Sequence, residues 1–578
     1  MDQRTLLALT LSFILLLLYQ VYLSLYVPPA PQPVTQSLSQ ATGTAPAEGT
    51  APSNGKPLPS AGNVTGNTMS QALTAPTQLT QLVPSTRRDR EGQSDSAYAS
   101  FSNRVMSGRI ALTGAQLIDV QLLQYKQRLG SDAQPVHFLS TDMSQFLIEE
   151  GGFLSNNNLS MPTRQTEWRV EGNQHIDGQG RLRLVWSNNS GLLFEKIYEI
   201  EADSYILKVE DRITNQGTLP VSAHHYIHLL RTQPAKHDSG DQSSWGFEGP
   251  MGFFRDIRSQ QKSGDSRIQQ DYDSLRKSDA HEEAQKGWIG FSDKYFMAAV
   301  VSAPEKMTRK FYFDYDAPVF RTGVVSPQQL VTPGSNQIIS HTLFIGPKRL
   351  DLLKQQGMDL ERSIDYGWFH FLAEPLEQLL NFFNRFVHNY GIATILLTIL
   401  VRLVVYPLTK KSSQAMNVMK QLQPEMEALK KRYADDKAQL NQAMMQLYQK
   451  NGANPLAGCL PILLQLPVFV ALYNVLYLSV EMRHAPFFLW IEDLSAMDPY
   501  YVLPILMGLS MLIQTKLNPT PADPVQAKVF LFLPLIFTVM FLSMPSGLML
   551  YWLVSNIIGI AQQMYLMKQI SPTSQGAT

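Results

Sequence analysis

Residues Tyr390–Gln414 read YGIATILLTILVRLVVYPLTKKSSQ, and the rest of the chain is organised around this stretch. From Gly391 to Leu408 it is apolar enough to cross a bilayer, yet it carries Arg402. An arginine at membrane depth costs roughly 2.5–3.5 kcal/mol on insertion scales unless it faces water or protein. Thr394, Thr398 and Arg402 recur every four residues, so a helix places them on one face, with Leu396, Leu397, Leu400, Leu403 and Val404 opposite. The pattern predicts one wall of a wet intramembrane cavity. The competing reading is that Arg402, roughly 10 Å of helix from Leu408, snorkels to the cytoplasmic surface and does nothing more.

At 578 residues the chain exceeds one ordinary domain. Its 48 basic and 48 acidic residues balance, so no global charge favours a direct nucleic-acid partner. Cys459 is the single cysteine, which excludes an intramolecular disulfide. The sequence has no Walker loop, GxGxxG or CxxC. His281-Glu282-Glu283 begins like a zincin motif, but Gln285 stands where the second histidine belongs. Nucleotide-driven, redox and metal chemistry are disfavoured, and no cofactor is expected.

Leu6 to Val27 is an apolar run of about the 20 residues a membrane helix needs, with no small-x-small cleavage pattern before Pro28-Pro29. Residues 1–27 are therefore expected to be an uncleaved signal-anchor, with Arg4 favouring a cytoplasmic N-terminus. Residues 28–98, rich in Pro, Gln, Ser, Thr, Gly and Ala, lack the apolar content to offset ordering entropy and read as a tether. In 99–355 the texture becomes alternation. Tyr205–Glu210, Gly191–Ile200 and Leu219–Leu230 suit half-buried strands, and Ser187–Gly191 and Asn215-Gln216-Gly217 suit turns. Many such strands predict a β-sandwich on the far side of the membrane. Its His224, His225 and His228 have no carboxylate at a readable spacing. On a strand His224 and His228 share one side and His225 takes the other, so ordinary sheet histidines are expected rather than a metal or sugar site.

Residues 365–389 include an amphipathic helix, with Leu376, Leu379, Leu380, Phe383 and Val387 on one face and Glu377, Gln378, Asn381, Asn384 and Arg385 opposite. It is expected in the outer interface or packed on the sandwich. After the span at 390–408 come eight Lys/Arg against four acidic residues between Lys410 and Lys450, which marks the cytoplasm. A helical hairpin is predicted over 410–452. Its first helix carries Met416, Met419, Leu422, Met426, Leu429 and Tyr433; its second is capped by Asp435-Asp436 and carries Leu440, Met444, Leu447 and Tyr448. Its basic side chains Lys410, Lys411, Lys420, Lys430, Lys431 and Arg432 read either as a topology signal or as a docking face, made adaptable by methionine. Further spans are expected at 457–480, 500–515, 528–543 and 547–567. The loop 481–499 then lies outside, while the loop 516–527 and the tail 568–578 lie inside. Six spans with both ends in the cytoplasm is the consistent solution.

Intramembrane polarity is concentrated. Gln465 and Asn474 lie in the third span, Gln514 in the fourth, and Ser555, Asn556, Gln562 and Gln563 in the last, where Tyr551, Ser555 and Gln562 share a face. Each could simply bond a neighbouring helix. Together with Thr394, Thr398 and Arg402 they predict a groove lined from several helices and suited to acidic or polar guests.

Five blocks carry a family resemblance: Asp365–Phe369 (DYGWF), Val401–Lys411, Asn454–Leu476, Ala485–Gly508 and Met544–Gln563. In this order they resemble the YidC/Oxa/Alb family of membrane-protein insertases of Gram-negative bacteria. The resemblance implies a multi-domain α+β membrane protein with six helical spans, a periplasmic mutarotase-like β-sandwich without catalysis, and a cytoplasmic hairpin. It also implies location in the inner membrane, no nucleotide hydrolysis, and a hydrophilic groove open to cytoplasm and lipid. Arg402 matches the family's groove cation, Thr398 its substrate-contacting threonine, and Tyr551-Trp552 its tyrosine pair, with tryptophan at the second place. The implied partners are nascent membrane proteins, membrane lipids, the Sec translocon, and the ribosome and signal-recognition machinery at the hairpin. From the residues alone, two alternatives stand: a small-anion transporter using Arg402, although no internal repeat is visible, and a membrane-tethered carbohydrate-binding protein built on the sandwich.

Overall fold

The structure is a computed structural model that describes residues 97–155, 159–234, 247–258, 263–302, 307–433, 436–451, 460–517 and 524–570. The expected signal-anchor, nearly all of the tether and most of the C-terminal tail lie outside the described residues. Those described form a β-rich body followed by a helical region.

Alternation of apolar side chains builds the β-rich body. In the strand Leu192–Ile200 the inward positions are Leu192, Phe194, Lys196, Tyr198 and Ile200; in Ile206–Asn215 they are Leu207, Val209, Asp211, Ile213 and Asn215. The two strands pair antiparallel with Asp211 opposite Lys196. The turn before the first is closed by the Asn188 side chain, whose Oδ1 accepts from the backbone N–H of Ser190 and Leu192. Among the described residues, twenty strands between Tyr98 and Pro347 form sheets of eleven and nine strands. Large side chains such as Phe194, Trp288, Phe311 and Phe344 are fully buried in one continuous core. Each such ring contributes about 2–3 kcal/mol on burial.

Leaving the sandwich, the chain forms α1 (Leu350–Gln356), α2 (His370–Val387), α3 (Tyr390–Gln421), α4 (Gln423–Arg432), α5 (Lys437–Lys450), α6 (Leu460–Leu478), α7 (Val502–Leu517), α8 (Pro524–Met540) and α9 (Ser546–Ile570). Helix α2 packs on α3 and α6, and α9 packs on both α3 and α7. The Asn389 side chain caps α3 by accepting from the N–H of Ile392. Among the described residues, α3 is the one helix long and apolar enough to cross a membrane by length and composition; Gln465–Leu478, Val502–Leu517 and Lys528–Met540 are shorter apolar stretches.

Two local expectations change. The sequence placed a boundary between the span ending at 408 and the hairpin beginning at 410, but α3 runs unbroken through both and through Pro407. A proline inside a helix removes one hydrogen bond and costs roughly 3 kcal/mol; the helix-favouring run that follows, which contains no glycine up to Gln421, carries the helix past it. Glu377, expected on the polar face of α2, is instead buried beside Leu376 and Leu380, because its carboxylate accepts from the Tyr366 hydroxyl. Phe371, Phe382 and Phe386 occupy exposed positions of the same helix.

The sandwich meets the helical region through named contacts. Arg483, in the loop after α6, donates from Nη1 to the Lys126 carbonyl (2.6 Å) and from Nη2 to that of Gln127 (3.0 Å). The Lys294 ammonium lies 3.7 Å from the ring centre of Tyr477 on α6.

Candidate substrate groove

Arg402 reaches across from α3 to α9. Its Nε and Nη2 both donate to the Ser555 hydroxyl, at 3.0 and 2.6 Å. One turn further along α9, Gly559 lies beside the guanidinium: a Cβ there would sit in van der Waals contact, 3.6 Å from both terminal nitrogens. The charge therefore faces a neighbouring helix instead of reaching along its own toward the surface. Its hydrogen-bond acceptor is neutral, and among the described residues no carboxylate pairs with it.

The other expected groove residues divide. Gln465 on α6 donates from Nε2 to the Tyr551 hydroxyl at 2.5 Å, and Tyr551 is buried. Tyr551 and Ser555 lie four residues apart on one face of α9, so two cross-helix pairs, Arg402–Ser555 and Gln465–Tyr551, come together there. Gly559 continues that face at the same spacing. Its place beside Arg402 is not legible in the sequence, because helical spacing gives a shared face and not the side chain opposite it.

Thr394 and Thr398 are each only 1% exposed, and their hydroxyls donate to the carbonyls of Tyr390 (2.8 Å) and Thr394 (2.6 Å). In an apolar setting a threonine satisfies its hydroxyl on its own helix in this way, so neither side chain presents a free hydroxyl to a cavity. Trp552 packs among Phe469 (ring centres 4.5 Å apart), Phe541 (4.8 Å) and Phe537 (6.2 Å), on the side of α9 that meets α6 and α8. Asn556 donates to the Ser510 hydroxyl at 2.9 Å and ties α9 to α7.

In the hairpin region, Leu422 and Met426 are buried against Val418, Met419, Met444, Leu447 and Tyr448. Several of its methionines therefore serve its own packing. Asp436 caps α5 by accepting from the N–H of Ala438 and Gln439. Lys410, Lys411, Lys420, Lys431 and Arg432 are exposed, while Lys430 is half-buried.

The sandwich histidines find carboxylates from distant strands. His225 Nε2 lies 2.8 Å from Asp211 Oδ2, and His341 Nδ1 lies 3.8 Å from the same oxygen, a spacing able to hold a metal ion. The buried Lys196 ammonium argues against one. It sits 4.0 Å from Asp211 and 3.4 Å from Glu149, and donates to the Gly151 carbonyl at 3.2 Å. Burial opposes that ammonium, but Glu149 and Asp211 outweigh it and hold the pKa well above the ordinary lysine value. A dication would lie beside this cation, so the cluster reads as an interior ion-pair network in which Lys196 answers Glu149 and Asp211. Burial pushes His341 down to about 3, against the pull of Asp211. On the other face, His228 Nδ1 meets the Tyr312 hydroxyl at 2.8 Å, while Glu150 accepts from Gln116 (3.0 Å) and Arg164 (2.6 Å). Burial would raise Glu150, but His228 and Arg164 bring its carboxyl down to about 2.

Comparison with known proteins places both halves. Residues 99–379 match the YidC periplasmic domain family and residues 382–573 the 60Kd inner membrane protein family. The membrane protein insertase YidC of Magnetococcus marinus is 44% identical over 576 residues, covering 99% of each chain. Among solved structures, an active YidC insertase with its first transmembrane domain resolved is 19% identical, with a TM-score of 0.35 over 81% of this chain and 92% of that one. A galactose mutarotase-like protein from Lactobacillus casei is 11% identical, with a TM-score of 0.31 over 43% of this chain and 99% of its own. By its full-length likeness to these relatives, the chain belongs to the YidC family of membrane-protein insertases.

Proposed function

We propose that this protein inserts and helps fold nascent proteins in the bacterial inner membrane, alone or together with the Sec translocon. Its spans are residues 1–27, 390–408, 457–480, 500–515, 528–543 and 547–567, with both termini in the cytoplasm and the sandwich in the periplasm. The hairpin at 410–452 projects into the cytoplasm, where Lys410, Lys411, Lys420, Lys431 and Arg432 offer a basic face to ribosomes and the signal-recognition machinery. The observation that carries this reading is the Arg402 cation, held inside the helical region by a neutral hydroxyl.

A cation so placed attracts an acidic or polar tail and shortens the distance that tail must travel through hydrocarbon. Exchange of Ser555 for a client carboxylate turns a bond to a neutral hydroxyl into an ion pair that guanidinium can hold with two parallel hydrogen bonds. Alongside α6 and α9 the client's apolar segment moves into lipid. Burial of about 20 apolar residues drives the step, and membrane potential adds about 2.3 kcal/mol per charge per 100 mV. No nucleotide is consumed.

The test is a photocrosslinker at Gln465 with a ribosome-stalled membrane client. Crosslinks at Gln465 and none from a probe at Trp552 are expected. Silence at Gln465 with a client that still inserts would overturn the groove path.

A further inference from the structure

Asp365-Tyr366-Gly367 contacts three separate parts of the molecule within three residues. Asp365 Oδ2 pairs with Arg267 Nη2 at 2.9 Å and accepts from Gln269 Nε2 at 3.3 Å, both on the sandwich strand Ser263–Gln269. The Tyr366 hydroxyl donates to Glu377 on α2. The Tyr366 carbonyl accepts from Asn474 Nδ2 on α6 at 2.8 Å, in a buried setting. The turn is pre-set for this role: Asp365 Oδ1 accepts from the Gly367 N–H at 3.0 Å, and Gly367 takes a φ of +67°, which glycine adopts without a Cβ penalty. Asn474 thus binds the turn and not the groove side of α6, where Gln465 meets Tyr551. Nine residues of one continuous helix separate the two side chains; Pro467 lies between them, so a displacement of the outer end is carried to Pro467 as by a rod and reaches Gln465, two residues further, in reduced form.

We propose that this turn is a joint that fixes the outer end of α6 to the sandwich, and that Asn474 and Asp365 are positioning residues that set where α6 stands against α9. Their effect on insertion rests on the insertase reading above; the joint itself does not. Together with the Lys294 ammonium over the Tyr477 ring, this contact ends on α6, the helix that carries Gln465. A shift of the sandwich edge, for example when a periplasmic partner loads it, is thereby transmitted to the Gln465–Tyr551 pair.

The experiment uses the full chain in liposomes, with Cys459→Ser and spin labels on Leu330→Cys in the sandwich and Leu466→Cys on α6, both exposed positions. The unaltered joint should give one narrow distance distribution. Asn474→Leu leaves the Tyr366 carbonyl buried and unpaired, and should shift the docked-to-free ratio about tenfold, which appears as a second, broader population. Asp365→Asn, which alters only the sandwich side and keeps the shape of the turn, should broaden the distribution in the same direction, and the double variant should go no further than Asn474→Leu. Unchanged narrow distributions in both single variants overturn the joint. With a client present, a photocrosslinker at Gln465 should mark client residues shifted in register in Asn474→Leu. A uniform loss of all crosslinks would mean a merely structural role and would also overturn it. Because the distance measurement needs no client, a wild-type protein that fails to insert clients would count against the insertase reading and leave the joint standing.

Discussion

Replacing Arg402 by glutamine separates its electrostatic role from its structural one. The structural cost is the pair of hydrogen bonds to Ser555, at 3.0 and 2.6 Å, and bonds from a charged donor contribute about 1.5–3 kcal/mol. Against this stands relief from holding a cation at membrane depth, roughly 2.5–3.5 kcal/mol. For two bonds the loss is about 3–6 kcal/mol, of which the relief offsets a part, and the glutamine amide can still donate to Ser555; Arg402→Gln should therefore fold with reduced stability, which an unfolding titration in detergent checks. The functional cost is separate. A client carboxylate 4 Å from the guanidinium gains about 1 kcal/mol at the dielectric of water and about 4 kcal/mol at an effective dielectric of 20. A half-buried cation lies between these limits, which gives about 30-fold for a single acidic tail residue. In proteoliposomes, with protease protection of the translocated tail as the readout, Arg402→Gln should slow an acidic-tailed client by about that factor. A client whose tail acids are replaced by amides should slow less than about twofold. Equal slowing of both clients would refute the electrostatic reasoning.

The His341 imidazole titrates near 6.5 when unfolded and is pushed down to about 3 when folded, so the unfolded chain binds the extra proton. Stability should fall as pH drops from about 6.5 toward 3, by at most about 5 kcal/mol at roughly 1.4 kcal/mol per pH unit. Hydrogen exchange of the strand Asn336–Pro347 should show this slope, and His341→Leu should flatten it. Gly290→Ala should destabilise the sandwich by about 2–3 kcal/mol, because its Cβ would lie 2.0 Å from the Ala298 carbonyl oxygen, which the sheet holds in place; a thermal melt unchanged from wild type would contradict this. Asn556→Ala, which removes the 2.9 Å bond to Ser510, should cost the helical region about 0.6–1.7 kcal/mol in a detergent unfolding titration. A larger loss would show that Asn556 supports more than one contact.

Local patterns were legible in the sequence and distant pairings were not. Alternation found the strands, and turn chemistry found Asn188, because strand period and Asx turns are set by neighbours a few residues apart. The helical repeat of Thr394, Thr398 and Arg402 was also legible, but periodicity gives a face and not what covers it. Two of those three side chains satisfy themselves on their own helix, and the third meets Ser555, distant in sequence. Likewise no spacing could reveal that His225 has Asp211 as its partner, or that Lys196 occupies an inward strand position between two carboxylates. Trp552 was assigned beside Tyr551 through resemblance, whereas adjacent residues on a helix diverge by about 100°, which turns it into the aromatic cluster.

Helix α3 extends 32 residues, about 48 Å at 1.5 Å per residue, whereas bilayer hydrocarbon is about 30 Å thick. About a third of the helix is therefore more than a straight crossing needs, and the surplus is the polar end after Leu408, which carries Lys410 and Lys411. Pro407 makes the rod compliant where the surplus begins, because the hydrogen bond it cannot donate is the one that would stiffen the helix there. A load on that inner end is taken up first at Pro407, so the seat of Arg402 on Ser555 is buffered from it.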